Sequence, residues 1–530
     1  MSNHQGVVYT RSWVAELVLD IAGYTKDKPL WRQIIIEPSC GGGSFLKPIV
    51  ERLSYAAIRD DRFDADNLYS ALSSYDLDEN SVRKSRMLVV EVLVANGMEP
   101  FDAQALSEVW IKHGDYLLAD GLKCDYCVGN PPYLRATNIN QKSRELYCAR
   151  FSTMTKGCDL FVAFIQHGLE ALNDDGALCF ICADRWMQNQ YGRNLRGFIS
   201  HGYHLDKIIR MYDVDAFEEN VSAYPSITRI DRGSGNVLYA NCNHEFGPQN
   251  VKELKEWMTS HKDDYQCATF SATAFEPLGD DSIIPLAAPD RIKLVTSLLR
   301  KLPSLEETNV KIGIGLATGR DSVFLTDQEG IVETERMLPA FNMRDWRRGR
   351  RERRLWLINP WEKDNSLINL DEWPLTKAYF SRHKAELDQR HIARKDPSAW
   401  YRTIDKPNGN LFGEPMLLFP DMAAKAEPIY SDGSKYPCHN CYWIVSKSWD
   451  LAVLGGLLMS DIAEAFVDAL GVKMRGGTLR FQAQYLRLIH VPWPSEIPEE
   501  VQHRLKEAFI SGDRIQANSA ARAAYQLGEI

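Results

Sequence analysis

The chain has 530 residues, of which 45% are hydrophobic and 25% charged, and its formal net charge at pH 7 is −9. This length exceeds one compact domain, so two or three domains with an ordinary globular composition are expected. The sequence contains no run of about 18 apolar residues, which excludes a membrane span. The negative net charge argues against a protein whose whole surface is basic.

The eleven cysteines indicate a reducing compartment, because several of them lie inside apolar runs. The N-terminus has neither a basic nor an apolar leader, so we expect a cytoplasmic protein. Two of the three Cys-x-x-Cys pairs fall in strand-like runs, where residues three apart face opposite sides and cannot form a metal knuckle. Cys438 and Cys441 lie in a loop-like segment and remain a zinc alternative, although no metal is expected.

The first elements predict a site for a nucleotide-like cofactor. After Thr10, a candidate helix N-cap, apolar residues recur at helical spacing up to residue 22. A β-branched strand then leads into Glu37-Pro38-Ser39-Cys40-Gly41-Gly42-Gly43, and a helix is predicted over 47–53. A strand, a glycine turn and a helix N-terminus hold such cofactors, but the loop is not GxGxxG, which disfavours a dinucleotide dehydrogenase. Glu37 is placed to accept from an ammonium group.

Two further strand ends carry acidic residues. The strand predicted over 72–77 contains Asp76, and an acid at the end of a second strand typically holds ribose hydroxyls. The long spacing from Glu37 predicts an extra loop over 60–67, followed by a helix over 80–96. A third strand end carries Asp115-Tyr116, a pair suited to the edge and the face of an adenine ring. Each acid alone is more typical of a solvated loop than of a binding site, but their order along the chain favours a cofactor site.

A short apolar run over 124–129 stops at Asn130-Pro131-Pro132-Tyr133. Each proline lacks an N–H and has φ locked near −65°, so the chain leaves the strand in a stiff, extended turn. The turn fixes the Asn130 side chain, the Pro131 carbonyl and the Tyr133 ring. Acceptor oxygens beside an aromatic face suit a planar group that bears an NH2. An ordinary proline-rich turn is the alternative, and the preceding strand ends favour the functional interpretation.

This combination resembles the adenine-specific DNA methyltransferases of the γ order, the Taq-like group. The resemblance implies an α/β fold with a Rossmann-like class I S-adenosylmethionine-dependent domain and a C-terminal mixed α/β target-recognition domain. It implies methyl transfer from S-adenosylmethionine to the N6 amino group of an adenine flipped out of double-stranded DNA, without a metal. The catalytic residues it implies are Asn130, Pro131, Pro132, Tyr133 and Phe217, with Tyr224 as the alternative to Phe217 for the ring opposite Tyr133.

The same resemblance assigns the cofactor site. A helix beginning near Asp159 closes over the cofactor, and residues 176–183 form the fifth strand. The family's Thr-Pro pair is replaced here by Thr10-Arg11. The cofactor residues it implies are Thr10, Glu37, Pro38, Ser39, Cys40, Gly41, Asp76, Asp115, Tyr116 and Phe161.

The resemblance also divides the chain into a catalytic domain (1–240), a connecting segment (241–307), a target-recognition domain (308–495) and a helical tail (496–530). Residues 313–324 are similar to the opening of the recognition domain, and residues 476–494 to its C-terminal signature. Seven arginines between residues 344 and 354 are interleaved with tryptophans. We expect Arg347, Arg348, Arg350 and Arg351 to neutralise DNA phosphates, with a solvated charged turn as the alternative.

Other functions are compatible with an NPPY turn. Methylases of RNA or of protein glutamine carry it, but they tend to be shorter, so the long stretch after Gly313 favours DNA. A fusion to an endonuclease is disfavoured because the cofactor motifs begin near residue 9. A methylase subunit of a larger restriction or anti-phage complex and a non-catalytic DNA-binding component remain as alternatives. A separate cognate restriction endonuclease acting on the same site is a plausible partner.

Overall fold

The computed structural model describes residues 8–155, 157–219, 224–260, 264–351, 353–472 and 478–528. The chain divides into two compact units, Met1–Lys293 and Leu294–Ile530. In these ranges, none of the helices is both long enough and apolar enough to cross a membrane.

The first unit is built on a sheet of ten strands. These are β1 (Ile35–Glu37), β2 (Leu72–Asp76), β3 (Ile111–His113), β4 (Cys124–Gly129), β5 (Leu172–Ala183), β6 (His204–Arg210), β7 (Pro225–Asp231), β8 (Val237–Cys242), β9 (Tyr265–Gln266) and β10 (Phe270–Phe275). Their order is β3-β2-β1-β4-β5-β7-β6-β8-β10-β9. The strands from β3 to β5 are parallel, and β7 lies antiparallel between β5 and β6. This arrangement confirms the predicted Rossmann-like α/β fold.

Helices surround this sheet. They are α1 (Ser12–Ala22), α2 (Leu46–Arg59), α3 (Ala65–Leu68), α4 (Glu79–Ala95), α5 (Pro100–Trp110), α6 (Gln141–Arg150), α7 (Phe161–Ala171), α8 (Arg185–Gln188), α9 (Arg193–Gly202), α10 (Val251–Ser260) and α11 (Pro289–Lys301), which spans the division between the units. The predicted loop over 60–67 therefore leads into a short helix. The prediction that Thr10 is an N-cap was wrong, because Arg11 holds that position and Thr10 forms a β-bridge with Phe217.

The end of the first unit differs from the predicted boundary at residue 240. Strand β8 pairs parallel with β6, and β10 pairs antiparallel with β8, so the sheet continues through the segment that was expected to be a connection. The segment is mixed and polar, but Ala240, Cys242 and Phe270 are buried against the core of the same unit.

The second unit is mixed α/β, as expected of the C-terminal region. Its strands are β11 (Val310–Ile314), β12 (Leu325–Thr326), β13 (Met337–Phe341), β14 (Trp356–Ile358), β15 (Met416–Pro420), β16 (Met422–Ala423), β17 (Ile429–Ser431), β18 (Tyr436–Pro437), β19 (Cys441–Ser446) and β20 (Leu479–Arg480). They form three sheets, in the orders β11-β19-β15-β17, β12-β14-β13-β18 and β16-β20.

The helices of the second unit complete its core. They are α12 (Asp321–Phe324), α13 (Met343–Arg347), α14 (Pro374–Arg382), α15 (Lys384–Leu387), α16 (His391–Lys395), α17 (Leu451–Leu458), α18 (Asp461–Leu470), α19 (Ala483–Leu486), α20 (Glu499–Ser511) and α21 (Arg514–Ala524). The predicted helical tail corresponds to α20 and α21, which pack with α17 inside this unit. Cys438 and Cys441 are buried in its apolar core. Of the predicted C-terminal signature, residues 476 and 477 lie outside the described residues.

Candidate active site

A cavity of about 190 Å³ opens where the parallel strands of the first unit end. Because β1, β2 and β4 run in the same direction, the loops after their carboxyl ends meet at one edge of the sheet. The predicted residues that line the cavity are Thr10, Glu37, Pro38, Ser39, Cys40, Gly41, Asp76, Asp115, Tyr116, Asn130, Pro131, Pro132 and Tyr133. The structure thus brings together four loops and the segment before α1.

One predicted cofactor residue lies elsewhere. Phe161 is fully buried and does not line the cavity, whereas Phe164 does. The two residues are three apart in α7, so they lie on nearly the same face one turn apart. Phe164 stacks on Tyr116, with ring centroids 5.5 Å apart and an angle of 27° between the ring planes. The helix therefore reaches the cavity as expected, but through a different phenylalanine.

The glycine loop is held open by backbone conformation and by neighbouring side chains. Gly41 and Gly43 have φ values of +48° and +88°, which side-chain-bearing residues rarely adopt. The Gly41 N–H donates to one Asp76 carboxylate oxygen at 2.8 Å, and the Asp78 N–H donates to the other at 2.8 Å. A carboxylate has about four acceptor sites, so Asp76 retains capacity toward the cavity. The Ser39 hydroxyl donates to the backbone carbonyl of Asn130 at 3.2 Å and joins this loop to the NPPY turn.

Glu37 places a buried carboxyl group on the cavity wall. It is 1% exposed, and the Ser74 hydroxyl donates to its Oε2 at 3.1 Å. Burial raises the pKa of Glu37 to about 8, an effect that the Ser74 hydrogen bond opposes. A cationic ligand group beside this carboxyl would favour its ionised form and lower that pKa.

The loop after β3 forms another wall of the cavity. The Asp115 carboxylate accepts from the Leu117 N–H at 3.0 Å and from the Tyr147 hydroxyl at 2.6 Å, so its position is fixed. The Tyr116 ring is buried between Phe164 and His167, with a centroid distance of 4.7 Å to the histidine. Burial lowers the pKa of His167 to about 4, so this histidine is neutral at physiological pH. The loop therefore presents an acceptor, the Asp115 carboxylate, beside the apolar face of the Tyr116 ring.

The Asn130 side chain is oriented by two hydrogen bonds. Its amide nitrogen donates to the Val8 carbonyl at 3.0 Å and to the Thr10 hydroxyl at 3.1 Å. Its carbonyl oxygen, Oδ1, is buried and has no hydrogen-bond partner among the described residues. A buried polar oxygen without a partner costs about 1–3 kcal/mol, so its position in a cavity wall indicates a missing donor.

The aromatic residues around the NPPY turn differ from the expected sandwich. The Tyr133 ring meets Phe217 edge-on, with centroids 6.1 Å apart and an interplanar angle of 83°, so a planar base cannot lie parallel to both rings. Phe217 is 6% exposed, and its backbone forms a β-bridge with Thr10. The alternative, Tyr224, is stacked on Tyr212 at 4.4 Å. Residues 220–223 of this predicted motif lie outside the described residues.

Comparison with known proteins decides the family. The family model described as Eco57I restriction-modification methylase matches residues 64–217. The type II methyltransferase M.PaeR7I of Pseudomonas aeruginosa is 36% identical, over 99% of this chain and 92% of its own length. M.XhoI of Xanthomonas vasicola, also a type II methyltransferase, is 37% identical, over 100% of this chain and 98% of its own length. The chain belongs to the type II DNA methyltransferases of restriction-modification systems.

A solved structure has a similar fold. The type IIL restriction-modification enzyme MmeI, solved in complex with DNA, is similar over 98% of this chain and 74% of its own, with a TM-score of 0.59 and 13% identity. At that identity the likeness concerns the fold alone. The predicted Rossmann-like fold is confirmed, and S-adenosylmethionine is the cofactor expected of a member of this methyltransferase family.

The methyltransferase cavity contains a residue that sequence reasoning missed. Leu77 follows Asp76, lines the cavity and is 67% exposed. A leucine this exposed at the mouth of a cavity offers an apolar surface to the flat face of a ligand ring. Its position directly after the acidic end of β2 was visible in the sequence, but nothing in the sequence distinguished it from a strand residue.

The predicted DNA-binding arginines of the methyltransferase are exposed, but they are not equivalent. Arg347 donates to the Met422 carbonyl at 2.8 Å, and the Arg351 guanidinium lies 4.7 Å from the centre of the Trp346 ring. Arg350 lies 3.7 Å from the Asp345 carboxylate. Arg348 has no ion pair with any described residue. Trp346 and Arg351 also line a groove of about 1070 Å³ within the second unit.

Proposed function

We propose that this methyltransferase transfers a methyl group to the exocyclic N6 amino group of an adenine in double-stranded DNA. The observation that carries this proposal is the Asn130 side chain, held by Val8 and Thr10 so that its buried Oδ1 lacks a donor. An exocyclic NH2 group supplies the donor that this oxygen lacks. The Pro131 carbonyl, fixed by the same stiff turn, is the second acceptor.

These two acceptors increase the reactivity of the amino group. The lone pair of an aromatic amine is delocalised into the ring, which makes the nitrogen a poor nucleophile. When Asn130 Oδ1 and the Pro131 carbonyl each accept one hydrogen, the nitrogen moves toward tetrahedral geometry and its lone pair becomes available. Preorganised acceptors of this kind require no rearrangement at the moment of reaction. Bound S-adenosylmethionine supplies the electrophilic methyl group.

Tyr133 holds the base in this position. The amino group of a paired adenine is inside the duplex, so the nucleotide must be extruded to reach the cavity. Stacking of a base on an aromatic ring contributes about 1–3 kcal/mol. Phe217 meets Tyr133 edge-on. The face of the base therefore stacks on the Tyr133 ring, and the edge of the base contacts Phe217.

The cavity residues fit the chemical groups of the cofactor. Glu37 is a buried carboxylate for the ammonium group, and Asp76 retains acceptor capacity for ribose hydroxyls. The apolar surfaces of Leu77 and Phe164 suit the two faces of an adenine ring, and Asp115 accepts at its edge. Phe164 replaces Phe161 in this assignment.

The second unit is proposed to bind the target duplex. Its arginine turn exposes Arg347, Arg348, Arg350 and Arg351, and aromatic side chains accompany them, which suits phosphate neutralisation. In a restriction-modification system, a separate endonuclease for the same site is the corresponding partner.

Incubation with tritiated S-adenosylmethionine and phage λ DNA tests the proposal, followed by single-molecule sequencing of the product. The expected result is N6-methyladenine at one repeated sequence. Methylation of cytosine, or transfer to RNA or protein in place of DNA, would overturn it.

A further inference from the structure

Four side chains form a stack at the carboxyl edge of the first unit's sheet. The Tyr212 and Tyr224 rings are parallel, with centroids 4.4 Å apart and an interplanar angle of 6°. The Arg210 guanidinium lies 5.1 Å from the centre of the Tyr212 ring, and that of Arg185 lies 5.2 Å from the centre of the Tyr224 ring. Two cations therefore flank one pair of stacked rings.

The two arginines of this stack differ in whether a carboxylate balances their charge. Arg210 is 6% exposed and donates to the Asp184 carboxylate at 3.2 Å. Arg185 is half-buried, and its side chain forms no hydrogen bond or ion pair with any residue that the structure describes. Its position over Tyr224 holds the guanidinium in place but supplies no counter-charge. With respect to the residues that the structure describes, the N–H donors of Arg185 are thus available to an anion.

The stack lies beside the NPPY turn. Strand β4 ends at Gly129, directly before Asn130, and pairs with β5 through Gly129 and Phe180. Strand β5 continues to Ala183, and Arg185 follows two residues later. The Asp184 N–H donates to the Tyr224 carbonyl at 2.9 Å, which ties Arg185 and Tyr224 to the same strand end. Arg185 is therefore a cation without a counter-ion among the described residues, at the same edge of the sheet as the NPPY turn.

We propose that Arg185 binds a DNA phosphate next to the extruded adenine and so positions the target strand at the NPPY turn. An extruded nucleotide carries a phosphate on each side, and a guanidinium fixed over an aromatic ring presents a flat set of donors that suits a phosphate. The inference rests on the proposed function. Arg185 acts on the strand and not on the reacting atoms, so it is a positioning residue.

The test compares Arg185→Gln with Arg232→Gln. Arg232 is matched in chemistry, because its guanidinium lies 4.8 Å from the centre of the Tyr203 ring, but it follows the opposite end of β7. The probe is a 30-base-pair duplex that carries the site found by sequencing. Its Kd is measured from 50 to 200 mM KCl, and S-adenosylhomocysteine binding and the melting temperature monitor the fold.

Arg185→Gln is expected to weaken duplex binding about tenfold and to reduce the slope of log K against log salt by about 0.9, the effect of one phosphate contact. Arg232→Gln should leave both unchanged. Arg185→Lys, which keeps the charge, should restore the slope, and S-adenosylhomocysteine should bind all variants alike.

Each outcome is decisive. If the wild-type protein methylates the duplex and Arg185→Gln behaves as Arg232→Gln does, the phosphate contact is overturned while the proposed function stands. If Arg185→Lys has the reduced slope of Arg185→Gln, the residue has a structural role and the inference is again overturned. If the wild-type protein neither binds nor methylates DNA, the proposed function itself fails.

Discussion

The cofactor cavity and the arginine turn differ in how their polar groups are held. In the cavity, Asn130, Asp76 and Asp115 each have at least two hydrogen-bond partners, whereas the buried Asn130 Oδ1 and the Tyr133 hydroxyl have no partner among the described residues. In the arginine turn, the charges are exposed and two of them, Arg350 and Arg353, are paired with aspartates. The first arrangement suits orientation of a reacting group, and the second suits attraction of a charged surface.

This difference determines how each region should respond to substitution. A buried group that is fixed by neighbours contributes through its position, so its loss removes an interaction that no other residue can replace. Exposed cations contribute through summed charge, are screened by salt and partly substitute for one another. We therefore expect large, specific effects in the cavity and smaller, salt-dependent effects in the arginine turn.

The largest effect is expected at Asn130. Asn130→Ala removes the acceptor Oδ1 and should lower the single-turnover rate of methylation by about a hundred- to a thousandfold, the typical effect of removing one preorganised hydrogen-bonding group from an active site. S-adenosylhomocysteine binding should change by less than about threefold, because Asn130 is assigned to the amino group of the base. A near wild-type rate in the purified variant would show that the assignment is wrong.

Thr10→Val serves as its control. It removes the hydroxyl that accepts from Asn130 at 3.1 Å but keeps the Asn130 oxygen and the Val8 acceptor. The rate should fall by roughly tenfold, since one of two orienting hydrogen bonds is lost. A loss as large as that of Asn130→Ala would mean that the segment around Thr10, and not the oxygen, carries the effect.

Next in size are the arginines, which can be divided into two pairs. Arg347→Gln with Arg348→Gln removes two cations that have no ion pair with a described residue, and should reduce the salt slope of duplex binding by about 1.8. Arg350→Gln with Arg353→Gln removes two cations that share Asp345, so the slope should fall by less than half as much. An unchanged slope in the first pair would favour a solvated charged turn.

The fold of the first unit was largely predictable because its signals are local. Each strand end carried its own motif, and parallel strands bring those ends to one edge, which placed Asp76, Asp115 and Asn130 in one cavity. The sheet beyond residue 236 was not predicted, because Val237–Cys242 and Phe270–Phe275 are short and contain several small and polar residues. Their strand character depends on pairing with β6 and with each other.

The details of the candidate site depend on contacts that sequence spacing does not contain. The choice of Phe164 over Phe161 depends on which turn of α7 reaches the cavity, and the edge-on angle between Tyr133 and Phe217 depends on the packing of two distant segments. Likewise, Arg353 is paired with Asp327, 26 residues away in the sequence, as well as with Asp345. A basic run in the sequence therefore overstates the free charge.

Glu37 makes cofactor binding dependent on pH. Its pKa of about 8 in the folded protein lies above the ordinary value of 4.5, so at pH 6 and 7 an ammonium ligand must displace a proton to gain a carboxylate partner. S-adenosylhomocysteine should bind about tenfold more tightly at pH 7 than at pH 6, by proton linkage. Isothermal titration calorimetry in two buffers of different ionisation enthalpy measures the released proton. Glu37→Gln should abolish the dependence.

Glu37 should make the stability of the ligand-free protein fall with rising pH, whereas it makes the affinity for the ligand rise. Between pH 4.5 and 8 the folded state without ligand holds a proton that the unfolded state has lost, so stability should fall as the pH rises through this window. The melting temperature of Glu37→Gln should lack this component. A wild-type protein whose ligand affinity is flat from pH 6 to 7 would show that the carboxylate does not face the ammonium group.

The smallest expected effect separates the two phenylalanines of α7. Phe164→Leu removes the ring that stacks on Tyr116 at the cavity wall and should weaken S-adenosylhomocysteine binding about three- to fivefold, in line with about 0.5–1.5 kcal/mol for an aromatic pair. Phe161→Leu replaces a fully buried ring with an apolar side chain of similar volume. It should therefore lower the melting temperature and leave the Kd for S-adenosylhomocysteine unchanged. The reverse pattern would restore the original assignment of Phe161 to the cofactor and would mean that a different turn of α7 lines the cavity.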